Sequence, residues 1–103
     1  MVYQSRASRG AFDLLAILQA REVGVQVKKA SLPFYLDREE LQRMRHWAKQ
    51  LEWIPLLALV VDDAVYFYDA RQLRVRGESV RIDERTRRVE NVLALVLDGN
   101  RGK

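Results

Sequence analysis

The sequence contains no cysteine, one histidine and two prolines in 103 residues. Without cysteine, the chain cannot form a disulfide, a zinc-thiolate site or a thiol nucleophile. No run of about 18 residues lacks charge, and residues 1–10 are polar where a signal peptide would have an apolar core. We therefore expect a cytoplasmic protein. The length predicts one domain over residues 1–103, with residues 98–103 as a disordered tail.

Positive charge is in excess, with 18 Lys and Arg against 14 Asp and Glu, a net charge of +4 and a pI of about 9.8. The planar guanidinium group binds phosphate through two hydrogen bonds, so an arginine-rich composition suits nucleic acid. A solvated surface rich in ion pairs, or an arginine-rich genome, explains the composition equally well. The arginines are concentrated near the start and in the later part of the chain: Arg6, Arg9, Arg71, Arg74, Arg76, Arg81, Arg85, Arg87 and Arg88.

Hydrophobic patterning predicts an α/β domain with a mixed β-sheet flanked by helices, in the order β-β-β-α-β-β-(β)-α. Residues 30–36 are expected to be a connection that contains Pro33. Strands are expected at residues 2–5, 12–18, 23–29, 56–61 and 65–68, with a further strand or strand pair within 73–82.

Two helices are expected. The first begins after an N-cap at Asp37, has Glu39 and Glu40 in its first turn, and presents one apolar face, formed by Leu41, Met44, Ala48 and Leu51. The second has its core at residues 89–97, an N-cap at Asp83 or Thr86, and an end at Gly99.

Three polar residues in the predicted hairpin of residues 12–29 form a candidate metal site. Asp13 interrupts an apolar strand, where a lone carboxylate is costly unless it binds a metal or another cation. Gln26 and Lys28 project from the same face of the paired strand. Carboxylate and amide oxygens suit Mg²⁺, and a lysine can stabilise the charge that develops on a phosphate. An acid at a strand end beside a solvated Gln and Lys face explains the same spacing, so the pattern alone leaves both interpretations open.

A longer series of segments resembles the archaeal Holliday junction resolvases. The matching segments follow one another in the family's order and span residues 5–97: residues 12–17, 25–28, 34–41, 47–48, 54–58, 66–67 and 89–93. The resemblance implies a PD-(D/E)xK nuclease with a restriction-endonuclease-like fold. It also implies a Mg²⁺-dependent homodimer that cuts four-way DNA junctions during recombination.

The resemblance assigns roles to individual residues. Asp13 is then the metal-binding acid, Gln26 the second metal ligand and Lys28 the catalytic lysine, with Mg²⁺ or Mn²⁺ as the cofactor. The loop of residues 5–9 and the end of the second hairpin strand are expected to contact DNA through Arg6, Ser8, Arg9 and Lys29.

Two departures from the family bear on catalysis. The family has glutamate where this chain has Gln26, although some Mrr-like restriction enzymes also carry glutamine there. The amide oxygen can still coordinate a metal, but one negative charge fewer weakens ion binding. The family also begins with a helix that supplies a further catalytic glutamate. We expect no counterpart of that helix, because the chain starts about a dozen residues before Asp13. A neighbouring subunit, Asp37, Glu39 or Glu40 are the alternative sources of that acid.

Two functions are consistent with these residues. The first is a Mg²⁺-dependent endonuclease acting on branched or structured DNA through Asp13, Gln26 and Lys28. The second is a catalytically impaired DNA-binding or assembly module with the same fold and dimer interface. A structural subunit similar to those of tRNA-splicing endonucleases is a third alternative. It ranks lower because His46 lies within a predicted helix.

The remaining candidates have structural interpretations. His46 is expected on a helix surface. The aromatic residues fill a core or a subunit interface more readily than they stack on bases, and residues 66–68 and 93–97 are the interface candidates. The arginines of residues 85–88 either contact phosphate or form a solvated helix start, where their charge opposes the helix dipole.

Overall fold

The computed structural model describes the backbone of residues 2–4 and 10–101 and the side chains of residues 10–97. Its elements are, in chain order, β1 (Val2–Gln4), β2 (Leu14–Leu18), β3 (Arg21–Lys29), β4 (Phe34–Asp37), α1 (Arg38–Leu51), β5 (Ile54–Val61), β6 (Ala64–Asp69), β7 (Ser79–Ile82) and α2 (Val92–Arg101). Among the described residues, no helix is long and apolar enough to span a membrane.

Five strands form a mixed sheet in the order β1-β2-β3-β5-β6. Strands β3 and β5 are parallel, and every other neighbouring pair is antiparallel. A parallel pair needs a crossover connection, which β4 and α1 provide. Strand β3 is the middle strand, and its residues 23–26 are buried among their neighbours. This confirms the predicted α/β fold with a mixed sheet.

The β2–β3 hairpin turns at Gln19 and Ala20, which have φ angles of 51° and 63°. Two positive φ values in a two-residue turn match the strand twist of a type I′ hairpin. Further along the hairpin, Gly24 lies against two aromatic rings: a Cβ atom there would lie 2.8 Å from Phe12 and 2.9 Å from Trp53. These rings pack beside the candidate site and leave no room for a larger residue at position 24.

A separate two-stranded ribbon, β4–β7, was not expected. Its register pairs Phe34 with Ile82 and Asp37 with Ser79. The prediction of a connection at residues 30–36 was wrong for residues 34–36, which belong to β4. Residues 73–82 contain one strand and an isolated antiparallel bridge between Arg76 and Ser79 rather than two strands. The partners are more than forty residues apart in the sequence, so no local pattern marks the ribbon.

Helix α1 covers one face of the sheet, which we call the α1 face. Asp37 occupies the N-cap position as predicted, although its side chain makes no capping hydrogen bond, and the helix ends at Glu52 in the left-handed region. Leu41, Met44 and Ala48 are buried as expected. They form one core with residues of β5, β6 and the ribbon, namely Leu57, Leu59, Tyr68, Leu36, Val80 and Ile82.

The opposite face of the sheet carries a second core, centred on Val23, Val25, Leu56 and Ala58 and covered in part by Val96 of α2. The N-cap of α2 is Asn91, whose Oδ1 accepts a hydrogen bond from the Ala94 N–H at 3.1 Å. The predicted caps at Asp83 and Thr86 were wrong because those two residues close a local turn of their own. Helix α2 also continues through Gly99 to Arg101. The single domain and the disordered tail from residue 98 stay predictions.

Candidate metal and phosphate site

Asp13 lies just before β2 and is exposed, so the prediction that it is buried inside a strand was wrong. It is nevertheless held in place by β3. Its backbone N–H donates to the Val25 carbonyl at 2.8 Å, and its carboxylate Oδ2 accepts a hydrogen bond from the Val27 N–H at 2.9 Å. Because both contacts involve the backbone of a central strand, the carboxylate has a defined position beside residues 26 and 28.

Gln26 and Lys28 lie on the same side of β3, towards the α1 face, as predicted. Their neighbours on β5 are Leu57 and Leu59, both in the α1-side core. Gln26 is only 7% exposed, and its Oε1 is buried without a hydrogen-bond partner among the described residues. A buried carbonyl-type oxygen without a partner is unfavourable. Its environment therefore favours an additional hydrogen-bond donor or a cation at this oxygen.

Lys28 forms an ion pair with Glu40 from the first turn of α1, with 2.6 Å between Nζ and Oε1. The two side chains are 32% and 24% exposed, so water screens the contact only in part. The sequence named Asp37, Glu39 and Glu40 as alternatives, and the structure brings Glu40 to the site. The helical turn decides this, because neighbouring residues of a helix point about 100° apart.

The donor set at this site is small. Within the described residues, no group of three or more His, Cys, Asp or Glu side chains could hold a metal ion. The oxygens that fit are the Asp13 carboxylate and the buried Gln26 amide. Mg²⁺ keeps several water ligands and is commonly bound through one or two carboxylates plus substrate phosphates. Two oxygen donors positioned by the central strand β3 therefore fit a hard divalent cation that also contacts the substrate.

The other sequence candidates have different environments. Arg6, Ser8 and Arg9 lie outside the described residues. Lys29 is exposed at the end of β3, and strand alternation directs it away from Lys28. His46 is on the surface as predicted. Its ring lies edge-on to the Trp47 ring, with 5.4 Å between the ring centroids.

The aromatic residues are mainly structural, as expected. Trp53 is buried and donates from Nε1 to Glu22 Oε2 at 2.7 Å. Arg88 of the 85–88 cluster stacks over the Tyr66 ring at 3.8 Å, which makes it a packing residue. The sequence does not single out this arginine, because the ring that it covers is more than twenty residues away.

The family model of archaeal Holliday junction resolvases (Hjc) matches residues 2–99. Among solved structures, the chain is similar to Hjc of Archaeoglobus fulgidus, a Holliday junction resolvase from an archaeal hyperthermophile. The two share 21% identity, and the TM-score is 0.70 over 81% of this chain and 69% of that one, so this likeness shows the fold. No curated protein matches. The family model, which spans nearly the whole chain, confirms the resemblance found in the sequence: the chain belongs to the archaeal Holliday junction resolvase family, a family of nucleases that act on branched DNA.

Proposed function

We propose that this protein is a divalent-metal-dependent endonuclease of branched DNA, with Asp13 and Gln26 as metal ligands and Lys28 as the catalytic lysine. The observation that carries the proposal is that β3 holds the Asp13 carboxylate through the Val27 N–H and, at the preceding residue, carries a buried amide oxygen without a partner among the described residues. Mg²⁺, or Mn²⁺ in its place, would be held by these oxygens and would supply charge neutralisation at the scissile phosphate.

The chain's own residues orient the metal-binding carboxylate and place the lysine. The Val27 N–H orients the Asp13 carboxylate by a 2.9 Å hydrogen bond, and the strand backbone sets the separation of Gln26 and Lys28. The Lys28 ammonium is placed to contact a phosphate oxygen and to stabilise its developing charge. Glu40 keeps that ammonium at the site when no phosphate is bound. Each group is anchored on a strand or helix, which preserves the geometry that phosphodiester cleavage requires.

The runner-up is a DNA-binding or assembly module with impaired cutting. It is favoured by one observation: the second ligand is a neutral amide, and the described residues supply no group of three acids. Such a module would keep the fold and bind branched DNA, and adding a metal ion would change its DNA binding little and would not induce cutting.

We also propose that the protein works as a homodimer whose interface includes the sheet face opposite α1. A groove of about 420 Å³ there is lined, among residues 10–97, by apolar side chains alone, for example Leu14, Val27, Val60 and Phe67. Val65, Leu93 and Leu97 are between 43% and 51% exposed. Leu93 and Leu97 support the interface expected at helix 93–97. Of the expected strand 66–68, Phe67 lines the groove, whereas Tyr66 packs against the α1-side core and Tyr68 lies within it.

A cleavage assay tests the function. Four-way junction, duplex and single-stranded DNA are incubated with Mg²⁺ or Mn²⁺, with wild type beside Asp13→Ala and Lys28→Ala. The proposal expects metal-dependent cutting of the junction by wild type and a loss of at least a hundredfold in both variants. Cutting that survives both substitutions would overturn the site. Junction binding without any cutting would favour the module.

A further inference from the structure

The outer face of the β4–β7 ribbon combines an exposed aromatic ring with an arginine. Tyr35 and Arg81 are directly paired across the two strands, and they are 55% and 59% exposed. Their neighbours Leu36 and Val80 point inward and are buried, so the strand period itself turns Tyr35 and Arg81 outward. Cross-strand partners have Cβ atoms about 5 Å apart, which makes the ring and the guanidinium one surface.

Two more arginines reach the same surface from the loop that precedes β7. Leu73 is buried and Val75 half-buried, whereas Arg74 and Arg76 between and after them are exposed. Arg45 of α1 fixes this loop. Its Nε donates to the Ala70 carbonyl at 3.0 Å, and its Nη2 donates to the Leu73 carbonyl. Arg74 and Arg76 are therefore displayed from an anchored backbone.

Together with Arg85, these residues line an open groove of about 570 Å³, which we call the arginine groove: Arg74, Arg76, Arg81 and Arg85. Among the described residues that line it, Asp83 is the one acid, so four positive charges face one negative charge, a balance of +3. Asp83 already accepts hydrogen bonds from the Arg85 N–H at 2.9 Å and pairs with Arg81 Nε at 3.2 Å. Within residues 10–97, none of Arg74, Arg76 and Arg85 forms an ion pair. The groove therefore lacks anions to balance its charge.

We propose that the arginine groove binds the phosphate backbone of a double-helical DNA arm, as a second contact distinct from the metal site. The inference rests on the proposed action on branched DNA and adds where an arm of the substrate runs. The ribbon adjoins the helix that carries Glu40, because β4 continues into α1 and the Arg38 N–H at the start of α1 donates to the Glu78 carbonyl, just before β7, at 2.9 Å. The proposal places the arm so that it runs from the arginine groove towards Lys28.

The composition of the groove favours a duplex. Single strands are held by several aromatic platforms on which successive bases stack, and Tyr35 is the one exposed aromatic among the described residues of this surface. A duplex presents its phosphates on the outside, where the planar, charged hydrogen-bond donors of four guanidinium groups can bind them. This contact reads no base sequence, so it suits a protein that recognises the shape of branched DNA.

The test is the salt dependence of DNA binding without divalent metal. Wild type, Arg74→Ala/Arg76→Ala and Arg85→Ala are titrated on duplex, four-way junction and single-stranded DNA at several salt concentrations. We expect the slope of log affinity against log salt to fall by about 0.9 for each arginine removed. Lys49→Ala, which removes an exposed charge from the last turn of α1, is the matched control and keeps the wild-type slope.

Wild-type slopes in both arginine variants would overturn the inference, as would losses seen only on single-stranded DNA. The variants change exposed residues without ion pairs, so their thermal unfolding should match that of wild type, and it is measured in parallel. Cleavage is scored separately: wild-type protein that binds but never cuts would refute the proposed endonuclease, whereas the slopes would still decide the groove.

Discussion

Lys28 and Glu40 form a 2.6 Å ion pair that joins the central strand of the sheet to the first turn of α1. Strand and helix are brought together by the apolar core beneath them, which includes Leu41 and Leu59. The pair therefore fixes the candidate catalytic lysine relative to Asp13 through two rigid elements.

Glu40→Gln should lower the cleavage rate about tenfold, because it removes the charge that positions Lys28 while keeping the side-chain size. Its effect on stability should be small, since partly exposed ion pairs contribute about 1 kcal/mol or less. Single-turnover cleavage and urea unfolding measure the two effects. Glu39→Gln, which changes an exposed acid in the same turn, is the control. Equal rates in both variants would show that Glu40 does not position Lys28.

Gln26→Glu should make the protein's stability depend more strongly on Mg²⁺. A carboxylate at this buried position is unfavourable without a cation, and a bound cation offsets that cost. We expect a lower melting temperature than wild type in EDTA and a larger rise on adding Mg²⁺. Gln26→Leu removes the unpartnered oxygen and should be about as stable as wild type, with no response to Mg²⁺. A Mg²⁺ response unchanged in both variants would exclude Gln26 as a ligand.

Asp83 should contribute stability that is lost in acid. The Arg85 backbone hydrogen bond, and then the Arg81 charge, hold the pKa of Asp83 below its ordinary value of 3.8. A folded-state pKa below the unfolded one gives stability that is present above the unfolded value and disappears as the pH falls through the folded one. The difference in melting temperature between wild type and Asp83→Asn should therefore be full near neutral pH and shrink below about pH 4.

Asp63→Asn, in the exposed β5–β6 turn, is the matched control for that titration, since it removes a carboxylate without an ion pair among the described residues. If the difference in melting temperature between wild type and Asp83→Asn stayed constant down to pH 2, the assigned role of Asp83 would be contradicted.

Val65→Arg should dissociate the proposed dimer. Val65 is 51% exposed at the apolar groove, so a charge is tolerated in the monomer but is buried at an interface. Sedimentation at micromolar concentration should show dimeric wild type and monomeric Val65→Arg. Ile17→Arg changes a residue that is 37% exposed and lies outside the groove lining, and it should remain dimeric. A monomeric wild type would refute the dimer.

Local sequence patterns were reliable wherever one element carries its own signal. Alternating apolar residues identified the strand at residues 23–29, and the spacing of Leu41, Met44 and Ala48 identified the buried side of α1. The patterns failed where the partner is remote. The ribbon depends on the pairing of Phe34 with Ile82. Helix α2 begins after its N-cap at Asn91, not at the local turn around Asp83.

The sequence by itself determined the family, the order of the elements and the grouping of Gln26 with Lys28, because strand alternation follows from the covalent geometry of the backbone. Only the tertiary structure decided that Asp13 is exposed yet fixed by the Val27 N–H, that Glu40 rather than Asp37 or Glu39 reaches Lys28, and that four arginines share one groove. These relationships join residues from separate elements. Their distances are set by how the two cores pack the helices and the ribbon against the sheet.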